Sequence, residues 1–272
     1  MKRRTLLKSI SALFLPLWAN GTIAQETDHP IIKFCEDNNM LRSYLGYPNM
    51  TDPKPEFYPI QRKILNNIMK YDKSHIMACR QIGMSTMSNC VLAYTAMTKP
   101  NSKCLLASHS WDRTKFIKKQ ILDILPNDLL TEFTQAYQKT NVLNTIFLKN
   151  GSEITVASFD TMHLYDQVAQ FYKVRKPRIY DVVIVDNPDI WSKEQFEYYL
   201  SSLITHSDKR IICGTPFSKK GYMHSFYDPS NPAHMKVTWK DMPQRRLSNL
   251  NRLKQVFIPE EWETEFECNP SV

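Results

Sequence analysis

Residues 75–88, HIMACRQIGMSTMS, constrain this chain more than any other stretch: an apolar run breaks into a polar turn and then resumes with helical spacing. The pattern predicts strand, loop, helix. A loop with a glycine and two hydroxyls ahead of a helix N-terminus is where an α/β protein cradles phosphate, because the first backbone N–H groups of a helix have no partner within it. Gly83 is one of only six glycines in the chain, and another, Gly214, closes a second apolar run.

The surrounding segments say what kind of sheet this loop belongs to. Residues 60–69 carry apolar side chains at 60, 64, 65 and 68, one helical face. Residues 74–79 and 103–108 read as buried strands, each followed by a helix, over 85–97 and 111–125. In the second helix Phe116, Ile117, Ile121, Leu122 and Leu125 are expected inward, and Arg113, Lys115, Lys118 and Lys119 on a solvated outer face. Asn150-Gly151 between the β-rich runs 145–148 and 153–158 is a hairpin signal. Residues 182–185 form a continuous apolar run ended by Asp186, as in a strand buried on both faces. A helix over 194–204 and a strand over 210–213 follow, then looser sequence with short helices over 247–256 and 260–267.

Strands alternating with helices predict an α/β fold, a three-layer sandwich of P-loop NTPase type whose mostly parallel central sheet has helices on both faces. Residues 60–272 form that domain. Residues 26–59 are a lead-in with a weak helical patch at 31–44 and an extended connector at 47–59 that contains four prolines. Residues 1–25 stand apart: Lys2, Arg3, Arg4 and Lys8 precede a short apolar core at 10–19 and small residues at 22–24. This reads either as an export signal of twin-arginine type or as an amphipathic helix of a cytosolic protein. The apolar core is too short for stable membrane insertion.

Net charge is +8, which invites a polyanionic partner, but without the four cations of residues 1–25 it is 8 − 4 = +4. The six cysteines show no zinc-ligand spacing and read as buried, reduced thiols.

Ligands of open α/β sheets bind at the carboxyl ends of the strands. Three predicted ends finish in polar residues: Cys79-Arg80-Gln81-Ile82-Gly83, Val185-Asp186-Asn187 and Cys213-Gly214-Thr215-Pro216. Phosphate loop, aspartate and small polar turn come in the order of a P-loop NTPase, except that the G-K-[ST] of that loop is here Gly83-Met84-Ser85.

These residues resemble the ATPase domain of tailed-phage terminase large subunits. That family's loop reads S-R-Q-x-G-K-[ST]-T, against Cys79-Arg80-Gln81-Ile82-Gly83-Met84-Ser85-Thr86. Tyr58-Pro59-Ile60-Gln61, Leu105-Leu106-Ala107-Ser108-His109, Asn150-Gly151-Ser152 and Ile212-Cys213-Gly214-Thr215-Pro216 with Phe226-Tyr227 extend the likeness over residues 34–269. The resemblance implies ATP and Mg2+ as cofactors and viral DNA packaging as the process. By it, Gln61 contacts adenine, and Arg80, Gln81, Gly83, Met84, Ser85 and Thr86 line the phosphates, with helix capping as the structural alternative for the hydroxyls. Ser85 and Asp186 hold the metal, Arg80 senses the γ-phosphate or stabilises the transition state, and Gly214 and Thr215 couple nucleotide state to movement. The partners it implies are double-stranded DNA, a portal, a small terminase subunit and further copies of the chain in a ring, in the host cytoplasm; the export reading places the chain in the periplasm instead.

Two departures bear on activity. The loop lysine is Met84, and the second acid of the family's Asp-Glu pair is Asn187. A general base contributes about 10²–10⁴-fold, so hydrolysis is expected to be impaired, with Arg80 a stand-in for the lysine and Asp189 for the base. The family's nuclease half has no counterpart up to Val272. The alternatives are a pseudo-ATPase that binds nucleotide or DNA and an exported protein that reuses the fold. A basic cluster, Lys173, Arg175, Lys176 and Arg178, is a candidate DNA contact, a solvated loop being its ordinary reading.

Overall fold

The computed structural model describes residues 28–38, 40–41, 56–137, 145–158, 180–191 and 207–270. Residues 1–25, most of the proline-rich connector, the basic cluster at 173–178 and the helix expected over 194–204 lie outside the described residues. The elements in chain order are α1 (Pro30–Asp37), α2 (Pro59–Lys70), β1 (Lys73–Ala78), α3 (Met84–Thr98), β2 (Lys103–Ser108), α4 (Trp111–Ile124), α5 (Glu132–Tyr137), β3 (Thr145–Phe147) and β4 (Glu153–Ser158). There follow β5 (Tyr180–Asp186), β6 (Ser207–Gly214), α6 (Tyr222–Ser225), β7 (His234–Val237), α7 (Gln244–Lys254) and α8 (Pro259–Glu265).

The strands join one seven-stranded sheet in the order β3-β4-β2-β5-β6-β1-β7. All neighbours pair parallel except β3 and β4, which the Asn-Gly turn folds back on each other. Gly151 in that turn has φ 85°, the left-handed geometry that glycine adopts without strain. Because β2, β5, β6 and β1 are consecutive and parallel, their carboxyl ends share one edge. That edge carries everything the candidate site needs.

Alternation along the strands divides the apolar side chains between the two faces. Cys104, Leu106, Val182 and Ile184 join a large cluster with Ile64 and Leu65 of α2, Met87 and Val91 of α3, and Ile117 and Ile121 of α4. Leu105, Ala107, Val183 and Val185 face the other way, onto Trp191 and Tyr222 of α6. Helices therefore cover both faces of an α/β sheet. Ile31, Ile32 and Cys35 of α1 belong to the large cluster, which also reaches the aromatic pair Trp262 and Phe266 at α8. All six cysteines are buried and free of disulfides, and burial pushes the Cys104 and Cys268 thiols up to about 12.

Three sequence expectations change. β7, whose HMKV sequence is mostly part-exposed, pairs on one side only with β1 and carries no apolar run to betray it. Of the helical patch at 31–44, the described residues form α1, which ends at Asp37, and residues 42–44 lie outside the described residues. In α4 the inward face is turned relative to the expected one: Phe116 is 51% exposed and Lys118 only 5%, and Arg113 turns from solvent to the sheet edge.

Candidate functional site

The chain leaves β1 at Ala78 and reaches α3 through residues 79–83, with positive φ at Gln81 (66°) and Gly83 (93°). The turn is braced from below by Gln61. As the third residue of α2, which starts at Pro59, Gln61 accepts a hydrogen bond from Tyr58 N at its Oε1 (3.0 Å), one arm of a capping box. Its Nε2 donates to Ile82 O (2.9 Å), and a Cβ on Gly83 would stand 2.7 Å from that nitrogen. The carbonyl and one N–H of the amide assigned to adenine by the resemblance are thus committed to backbone. Met84, where a P-loop has lysine, packs part-buried on the large core. Gly83 caps α3 with no side chain, Ser85 stands in the first turn and Thr86 is buried.

Arg80 does not lie over the loop. Its guanidinium pairs with Glu265 Oε1 of α8 (2.9 Å) and lies 6.0 Å from the Phe217 ring centroid, and its backbone N–H donates to Glu265 O (3.0 Å). The cation that does enter the site is Arg113, at the third position of α4. Its Nη2 donates to Ser85 Oγ at 2.6 Å and its Nε lies 3.5 Å from Asp186 Oδ2. Ser110 caps α4 by accepting from Arg113 N at 3.3 Å, which sets the side chain's starting point. A cation in the first turn opposes the helix dipole. The pair with Asp186 offsets that cost.

Asp186 is 5% exposed, at the end of β5 between β2 and β6. Burial raises its carboxyl above the ordinary range, opposed by Arg113, His109 and Ser108. Ser108 Oγ donates to its Oδ2 (3.4 Å) and Asn187 Nδ2 to its Oδ1 (3.2 Å). Ser85 and Asp186 are the residues that the resemblance assigns to Mg2+. Here one guanidinium already bridges them, so the pair does not fit an open divalent site. Among the described residues no group of three or more His, Cys, Asp or Glu side chains is placed to hold a metal.

Asn187 has φ 52°, a left-handed conformation that asparagine tolerates better than most residues. Its Oδ1 accepts from Thr215 N (3.0 Å) while its own N–H donates to Cys213 O (2.8 Å). Thr215 Oγ1 donates to Ala78 O (2.9 Å), so one threonine links the ends of β6, β5 and β1. Gly214 lets these ends approach: a Cβ there would stand 2.5 Å from Asn187 Oδ1 and 2.8 Å from Asn187 Cα. Asp189 is a staple, its two carboxylate oxygens accepting from Phe217 N (3.0 Å) and Met223 N (2.8 Å).

The structure therefore brings Gly83, Ser85, Asp186, Asn187, Gly214 and Thr215 to one edge, sets Gln61 beneath the loop and draws Arg80 toward α8. Sequence reasoning missed Arg113 and Ser108. A cation placed in the first turn of a helix directly after a strand end was the signal for Arg113.

No protein-family profile matches the sequence, and no curated protein matches it. Among solved structures the chain is similar to the ATPase domain of the Thermus phage P74-26 large terminase, with 14% identity and a TM-score of 0.55 over 76% of this chain and 92% of that one. It is similar to the HK97 bacteriophage large terminase (8% identity, TM-score 0.59, 88% and 54% of the two chains). It is also similar to the large terminase of a thermophilic bacteriophage in complex with ATP-γ-S (10% identity, TM-score 0.51, 78% and 52%). This chain has the fold of phage large terminase ATPase domains, and it spans about half the length of the latter two proteins.

Proposed function

We propose that this chain is a nucleotide-binding module of viral DNA packaging, built on the large terminase ATPase fold, that holds ATP with little or no turnover. One observation carries the reading: the side chain at the position of the catalytic acid is an amide whose Oδ1 and Nδ2 are spent on Thr215 N and Asp186. A carboxamide cannot take a proton from water, and this one holds two strand ends together. Asp189 is engaged in the same way. Binding, in contrast, retains its parts, namely a braced loop, the N-terminus of a fifteen-residue helix and a guanidinium beside it. The Thr215 link from Ala78 to Asn187 suits the coupling role, since movement of the phosphate loop pulls on both neighbouring strand ends.

The partners follow the same reading: double-stranded DNA, the portal, the small terminase subunit and a ring of identical copies, in the host cytoplasm. No described helix is long and apolar enough to cross a membrane. The test is ATP binding by calorimetry on the full chain, beside phosphate release with and without double-stranded DNA. Saturable binding with release at the level of a protein-free control is the expected result. DNA-stimulated hydrolysis would make the chain a working motor, and absence of nucleotide affinity would remove the reading altogether. N-terminal sequencing of the natural protein separates cytoplasm from export, an intact start excluding signal cleavage.

A further inference from the structure

We infer that Arg113 is the resident cation of this site, holding the position between Ser85 and Asp186 where a metal would bridge them, so that the nucleotide's phosphates bind without a divalent ion. The inference rests on the nucleotide-site reading above and adds the ionic form of the ligand, free ATP rather than its magnesium complex.

The geometry is that of a metal bridge made by a side chain. In P-loop proteins the ion is held between the loop hydroxyl and an aspartate that closes another strand of the sheet. Here the guanidinium donates to that hydroxyl at 2.6 Å and stands 3.5 Å from that carboxylate. A guanidinium stays charged at any working pH and presents five donors. Ser85 and Asp186 use two of them, and a guanidinium fork pairs well with phosphate oxygens. Arg113 keeps 31% of its side chain exposed against 6% for Asp186, so it faces both the buried carboxylate and the open side of the edge.

Electrostatics favours this occupant. A buried carboxylate left without a cation costs several kcal/mol or takes up a proton, and Arg113 is the side chain that pairs with Asp186 whether or not nucleotide is bound. Arg113 is covalently present and needs no recruitment, whereas a metal must displace it and then leave the guanidinium to find another partner. Met84 gives independent support. The loop has lost its own cation and Arg80 is committed to Glu265, which leaves Arg113 as the guanidinium at the phosphate edge among the described residues.

The experiment is titration of ATP into the full chain by calorimetry, once in EDTA and once in excess Mg2+, with Arg113→Ala and Arg113→Lys in parallel. The unmodified chain is expected to bind ATP with dissociation constants within about threefold of each other in the two buffers. Arg113→Ala is expected to lose about tenfold or more in EDTA and to regain affinity when Mg2+ is added, because Ser85 and Asp186 are then free to hold it. Arg113→Lys should lose less. If the unmodified chain binds ATP about tenfold or more tightly with Mg2+, the metal displaces the guanidinium and the inference falls while the nucleotide-site reading stands. Absence of ATP binding in both buffers overturns both. A third measurement is independent of the variants' folding. Mn2+ added to the nucleotide-free unmodified chain should show no bound fraction by paramagnetic resonance, and a bound ion at this site would overturn the inference.

Discussion

The end of β1 and the end of β5 are one strand apart and have diverged differently from the pattern they resemble. At β1 the loop keeps its shape, with Gly83 in the left-handed region and Gln61 beneath it, but has lost its charge at Met84. At β5 the charge is kept on Asp186, while the neighbouring position, Asn187, has become a brace between strands. A cation can be supplied from another element, and Arg113 reaches from α4 to Ser85 and Asp186. A base cannot be repaired so easily, because it must face a water at a defined angle. On the reading proposed above, the comparison describes a site that would keep its ligand while losing its chemistry.

The largest effect that sharpens this contrast is steric. Gly214→Ala places a methyl 2.8 Å from Asn187 Cα, a backbone atom that cannot step aside, whereas Gly83→Ala meets only the Gln61 amide at 2.7 Å. Overpacking against backbone costs about 2–3 kcal/mol, and left-handed φ at a non-glycine about 1–2 kcal/mol. Thermal unfolding should therefore fall further for Gly214→Ala than for Gly83→Ala. Equal losses would mean that the β5–β6 contact is no tighter than the loop.

The two arginines come next. Arg113→Ala strips the buried Asp186 of its cation and should cost about 2–3 kcal/mol, less than breaking a fully buried pair because Arg113 is itself part-exposed. Arg80→Ala, in a half-exposed pair with Glu265, should cost about 1 kcal/mol or less. Urea unfolding of the two variants decides it, and a larger loss from Arg80 would move the charge centre of the site to α8. Asn187→Ala should cost about 1–2 kcal/mol through the acceptor lost to Thr215 N and the donor lost to Asp186, with ATP affinity changed less than stability. A collapse of affinity would tie Asn187 to the ligand.

Much of this is legible in the sequence. The Asn150-Gly151 hairpin, the strand closed by Asp186 and the turn after Cys213 are marked by local chemistry, turn residues and unbroken apolar runs, and each lies within a few residues of its expected place. What was not legible depends on tertiary reach. Arg113 and Lys118 share the composition of a solvated helix face, and only the docking angle of α4 turns the first toward Asp186 and buries the second. Gln61 reads as a polar residue on a helix until Ile82 O is found above it. β7 has no apolar run because an edge strand needs none.

The smallest expected effect separates His75 within β1 from Asp186 at the end of β5 by the sign of their response to pH. His75, buried on β1 with its Nε2 2.9 Å from Met223 O, has its pKa lowered by burial and by His234, against opposing contributions from Met223 O and Asp189. An unfolded chain then binds more protons than the folded one below about pH 6.5, so stability falls as pH drops through that value. His29 and His234 are lowered as well and act in the same direction. Asp186 is raised, so its contribution is present at low pH and is lost as pH rises above the ordinary carboxylate range toward its folded value. Melting temperatures between pH 7.5 and 5 should decline with acid in the unmodified chain, less steeply in His75→Gln and more steeply in Asp186→Asn, which keeps the shape but not the titration. Parallel profiles for all three would mean that neither His75 nor Asp186 senses protons in this range. A profile for Asp186→Asn parallel to that of the unmodified chain would mean that Arg113 holds that carboxylate ionised throughout this range, a stronger pairing than its burial implies.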